Sequence, residues 1–141
     1  MSRKTSTITI DTDNRDKGKT FLLTEMPAYQ AESWATRAIL ALTNAGLDIP
    51  EEAISAGMAG MASIGFSALT KLDYQVVKPL LDEMLECAQI VMPSITRVII
   101  HGDGADIEEV STYIKLRKAI FELHLGFSMA ALKSTSGSAA A

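Results

Sequence analysis

The segment from Asp106 to about Leu132 constrains this chain more than any other, because its periodicity is that of one long helix with a wide apolar arc. At 100° per residue, Glu108, Ser111, Lys115, Lys118 and Glu122 share one side, while Ile107, Val110, Tyr113, Ile114, Leu116, Ile120, Phe121, Leu123, Leu125 and Phe127 fill the other. A helix so patterned belongs in a core. Arg117 and His124 nevertheless project from the centre of the arc, where an unpaired cation is costly. They read either as an anion site or partner hot spot, or as structural groups. The structural reading is favoured: Arg117 pairs with a half-buried carboxylate, Glu83 first among them, and a neutral His124 bonds a backbone carbonyl.

A chain of 141 residues is expected to fold as one domain, here 1–132, with enough length to bury a core unaided. Residues 133–141 are Ser/Ala-rich and read as a flexible tail. The net charge of −4 is uneven: five basic against three acidic residues give +2 over positions 1–20, leaving −6 for the rest. An acidic body lacks the basic stripe that phosphate contacts need, which argues against a nucleic-acid partner. The single Cys87 cannot form an intrachain disulfide and reads as a small core residue in a reducing cytosol. Met1 to Ile10 has no apolar run, so no signal peptide is expected. Ala53 to Thr70 carries no charge, but it is mostly Ala, Gly and Ser; a buried helix packed closely through Ala53, Ala56, Gly57 and Gly60 is favoured over a membrane span.

Alternation at Thr5–Asp11 and β-prone residues at 19–24 flank a turn, Asp13-Asn14-Arg15-Asp16-Lys17-Gly18, and predict a hairpin. Pro27 opens a helix to Ala45 that Gly46 ends; its arc is small except for Trp34. Asp48 and Glu51 have capping-box spacing for a second helix reaching about Leu72, broken near its glycines. A third begins at Asp73 or near Lys78, depending on Pro79, and carries the stripe Leu80, Leu81, Met84, Cys87, Ala88 and Val91. Residues 95–101 predict a third strand added to the hairpin, and Asp106 with Glu109 a second capping box opening the last helix. The fold class expected is therefore α+β, predominantly helical, with about four helices and a small antiparallel sheet.

Catalytic chemistry is hard to find. His101, Asp103 and Asp106 share one turn without a converging second histidine, and read as a solvated turn rather than a metal site. Asp11-x-Asp13 has Arg15 at the third calcium-ligand position and no closing glutamate, and reads as a charged hairpin turn. No nucleophile elbow or phosphate loop occurs. Neither cofactor nor metal is expected, and no enzymatic activity.

Thr20-Phe-Leu-Leu-Thr-Glu-Met-Pro-Ala28, Ala31-Glu-Ser-Trp-Ala-Thr-Arg-Ala38, Gly57-Met-Ala-Gly-Met-Ala62, Lys78-Pro-Leu-Leu-Asp-Glu-Met84 with Cys87, Asp106-Ile-Glu-Glu-Val110 and Leu116-Arg-Lys-Ala-Ile-Phe-Glu-Leu-His-Leu-Gly-Phe127 together resemble the small tail assembly chaperones of tailed bacteriophages and prophages. The resemblance spans most of residues 19–127 and rests on packing and turn residues. It implies a mostly helical helper in the host cytoplasm, absent from the mature virion, that binds the tape measure protein and keeps it soluble until tail tube protein polymerises around it. Tail tube protein is a further candidate partner, self-association is left open, and in some members of the family a frameshift adds a longer C-terminal domain.

The residues agree with such a role, since a chaperone for a long amphipathic helix needs an apolar groove, adaptable side chains and no chemistry. The groove expected lies between the second and last helices, lined by Met58, Met61, Phe66, Phe121, Leu125, Phe127 and Met129. Two competing readings are a tail-completion or connector component of the virion and a small enzyme of unfamiliar type.

Overall fold

Strand pairing organises the N-terminal part of the chain. In the computed structural model, which describes residues 3–140 and every side chain except those of Met58, Ala62, Ser63 and residues 126–140, β1 (Thr5–Thr9) and β2 (Thr20–Thr24) form the expected antiparallel hairpin. Gly18, at φ 89°, closes its turn where a side chain would be strained. The sheet then continues β1-β2-β3-β4, antiparallel throughout, with β3 at Ala88–Val91 and β4 at Thr96–Val98. Phe21, Leu23, Ala88 and Ile90 are buried on one face; Thr20, Leu22, Gln89, Val91 and Val98 alternate with them on the other.

Two expectations change here. The third helix does not run to Val91: α4 ends at Leu85, and Ala88–Val91 is strand. Cys87, Ala88 and Val91 fit a helical stripe on spacing alone, but the ladder pairing Phe21 with Ile90 and Leu23 with Ala88 stabilises the extended form. The strand expected over 95–101 is shorter, and it pairs with β3 rather than with the hairpin.

The backbone forms two compact units that interleave along the chain. One comprises Met1–Glu25 and Leu81–Leu123, and thus the sheet and the start of α5; the other comprises Met26–Leu80 and His124–Ala141. Helix α5 runs Val110–Ala140, beyond the expected end near Leu132.

In the second unit, α1 (Ala28–Asn44) packs against α2 (Glu51–Ser55), α3 (Met58–Ile64) and a 3₁₀ turn (Phe66–Lys71). Gly46, at φ 99°, ends α1: its N–H donates to Thr43 O and that of Leu47 to Leu42 O, satisfying carbonyls the helix would leave open. The uncharged segment after Ala53 is broken at Gly57 and Gly65, both at positive φ. Close packing through small residues is literal at Gly60, where an added Cβ would lie 1.8 Å from the Ala53 carbonyl oxygen. The N-cap of α2 is Pro50, so the expected Asp48–Glu51 box does not cap it. Trp34 is the buried anchor of α1, its indole N–H donating to Leu80 O at 2.9 Å. No helix among the described residues is long and apolar enough to cross a membrane.

Candidate partner-binding surface

Asp16, in the β1–β2 turn, is fully buried. Its carboxylate accepts from the N–H groups of Glu108 and Glu109, both at 2.9 Å, from Thr112 Oγ1 at 2.6 Å and from Lys19 Nζ at 2.8 Å. It thereby caps α5 from 92 residues away, filling the role expected of Asp106. Burial pushes this carboxyl up, but the bonds from Lys19, Thr112 and the two amides outweigh it and hold it at about 2. Lys19 Nζ also donates to Asp106 O at 2.6 Å.

Asp106 serves a second clamp. It takes both arms of Arg97 at 2.8 Å, accepts from Ile100 N at 2.7 Å, and donates its own N–H to Ile100 O. The Arg97 bonds hold its carboxyl at about 2 against the opposing effect of burial. His101 Nδ1 and the Tyr113 hydroxyl are bonded at 2.6 Å. These contacts fix the β3–β4 hairpin and the loop after it to the start of α5.

What they hold in place is apolar. Among the described residues, seven of the twelve exposed large apolar side chains lie between Val91 and Ile114, within one unit. Val91, Met92, Ile95, Val98 and Ile100 belong to the hairpin and its exit; Val110 and Ile114 stand one turn apart on α5. Val98 is 74% exposed and Val110 77%, values that a core-facing residue would not show. The His101–Tyr113 bond brings the exit of the hairpin to the first turn of α5. The second unit has its own depression of about 500 Å³, walled by Leu40, Ala41, Ala45, Leu72 and Val76, with Arg37, Lys71 and Asp73 among its polar groups.

Two of the residues expected to line the groove are buried. Met61 is 0% exposed and belongs to the core of the second unit, while Phe121 is buried in the first. Phe66 and Leu125 are half-buried; the side chains of Met58, Phe127 and Met129 lie outside the described residues. Arg117 and His124 fall in different units and are half-buried. Among the described residues no ion pair joins Arg117 to Glu83. The guanidinium instead lies 5.8 Å from the Tyr113 ring centre, and its Nε is buried without a partner. His124 does bond the backbone, its Nε2 accepting from Met26 N–H at 2.8 Å.

The exposed residues of α5 were part of the sequence arc but were read as core. An arc that wide exceeds what one packed neighbour covers, and that excess was the signal for Val110 and Ile114. The helical spacing of Cys87, Ala88 and Val91 hides the hairpin cluster in the sequence, since Ala88–Val91 is strand. Among the described residues no group of His, Cys, Asp and Glu could hold a metal ion. Comparison with protein-family models, with curated proteins and with solved structures found no match.

Proposed function

We propose that this protein is a tail assembly chaperone of a tailed bacteriophage or prophage: a non-enzymatic factor of the host cytoplasm that holds the tape measure protein soluble until tail tube protein assembles around it. The observation that carries the reading is the concentration of exposed apolar side chains between Val91 and Ile114, on a backbone held by the Arg97–Asp106 and Asp16 bonds. Exposed apolar residues gathered in this way commonly mark a site for a partner with an apolar stripe. The sequence resemblance supplies the kind of partner, a long amphipathic helix. Met92 adds an adaptable side chain, and the clamped backbone beneath keeps the surface from collapsing on itself.

Co-expression with the tape measure protein of the same genome tests this. The wild-type chain should keep that protein in the soluble fraction and co-purify with it, and Val98→Glu with Ile114→Glu should abolish both while leaving the circular dichroism spectrum unchanged. A folded double variant that still solubilises the tape measure protein would remove this surface from the account.

A further inference from the structure

The two edges of the sheet are finished differently. At β4, Val98 C=O accepts from the Arg97 guanidinium at 3.0 Å, and just past the strand the N–H and C=O of Ile100 are both bonded to Asp106. Among the described residues, no side chain or loop bonds the outward-facing backbone of β1 in this way. The bonds Glu25 N–H to Lys4 O and Ile10 N–H to Lys19 O, with the register pairing Ile8 to Phe21, show that its even-numbered residues bond β2. Thr5, Thr7 and Thr9 therefore turn their N–H and C=O groups away from the sheet, and all three are exposed. No charge, proline or bulge interrupts residues 5–9, although these are the usual devices that keep an edge strand from pairing with another chain.

We infer that β1 is a self-association edge, on which a second copy of this chain adds its own β1 antiparallel about a two-fold axis through Thr7. This register uses every outward-facing group. Thr7 exchanges both of its bonds with the partner's Thr7, and Thr5 exchanges both with the partner's Thr9, making one continuous sheet from two copies. It places threonines opposite threonines on the same face, a favourable cross-strand pairing. Charge complementarity fixes the occupant as a second copy. Two positions beyond Thr5 is Arg3, and two beyond Thr9 is Asp11, both exposed, so the two-fold sets Arg3 of each chain opposite the partner's Asp11. Arg3 donates one guanidinium N–H to Glu25 O at 3.3 Å, which leaves its other donors for that carboxylate.

Sedimentation equilibrium of the full chain should show a dimer at micromolar concentration. Arg3→Asp and Asp11→Arg should each weaken it by about tenfold or more, by replacing two attractive pairs with two repulsive ones, and the combined exchange should restore it. Thr7→Pro removes two central donors that β2 does not use, so it should give a folded monomer. If Thr7→Pro unfolds, the charge exchange still decides the matter. Register is read by cross-linking under oxidation. Thr7→Cys should link to itself, since opposed Cα atoms in such a pair lie about 5.5 Å apart, whereas Thr5→Cys should link only to Thr9→Cys. A wild-type monomer, or a charge exchange that fails to restore the dimer, overturns the inference.

Discussion

Removing the Asp16 carboxylate should destabilise the fold more than any surface change, and in a pH-dependent way. Burial raises the carboxyl and its four donors lower it; the balance leaves it at about 2, against 3.8 for the free group. A folded value below the unfolded one means stability that is fully present above pH ~4 and lost as the pH falls through ~2. The difference corresponds to roughly 2 kcal/mol of charge-dependent stabilisation. In Asp16→Asn the amide group must also face the N–H groups of Glu108 and Glu109, weakening the cap of α5 by roughly 1 kcal/mol more. Lys19 keeps the Asp106 carbonyl, so the full cost of a stranded buried cation does not arise. Urea unfolding followed by circular dichroism should therefore place Asp16→Asn about 3 kcal/mol below wild type at pH 7, a large fraction of the 5–15 kcal/mol typical of a domain. The gap should close as the pH is lowered from about 4 to 2. A gap under about 1 kcal/mol at pH 7, or one that does not change with pH, would refute the assignment of Asp16 as the buried cap.

Gly60→Ala should destabilise by about 3 kcal/mol in the same assay, because the new methyl must displace the Ala53 carbonyl of α2; a neutral result would show that α2 and α3 are not so close. Met61→Ala should cost about 2–5 kcal/mol, as expected for a core side chain and not for a groove residue. Burial, with smaller contributions from Glu86 and Glu83, pushes the Cys87 thiol up to about 11, so at pH 8 alkylation of the native protein should be at least about a hundredfold slower than of the urea-unfolded chain. Mass spectrometry of purified particles should find the tail proteins and not this chain; its presence in stoichiometric amount would favour a virion component.

The helical share of the fold was legible because long elements carry their period in sequence: α1, with Pro27 before it and Gly46 after it, needs only local rules. The hairpin was legible from its turn. What sequence could not supply were the choices made by tertiary contact. Ala88–Val91 satisfies both periods, and only the free edge of β2 selects the strand. Asp16 looks like any exposed turn aspartate, since the amides it bonds belong to residues 92 and 93 positions away. Arg117 was rightly singled out as unusual, but the partner chosen for it, Glu83, came from its place on a helical stripe and not from space. A methionine in a Gly/Ala-rich segment reads equally as surface or core, and Met61, next to the close approach at Gly60, is core.

The role proposed for the exposed apolar residues between Val91 and Ile114 is to hold a partner. Its most direct test is the fraction of tape measure protein left soluble after co-expression with wild type, with Val98→Glu/Ile114→Glu, and with a Leu40→Glu/Val76→Glu control in the second unit's depression. All three chains should be folded and within about 0.5 kcal/mol per substitution in stability, since every position changed is exposed. The account predicts soluble tape measure protein with wild type and with the control, and aggregated tape measure protein with Val98→Glu/Ile114→Glu. Loss of solubility with the control alone would move the site to the depression, and retention with all three would contradict the claim that either apolar surface holds the partner.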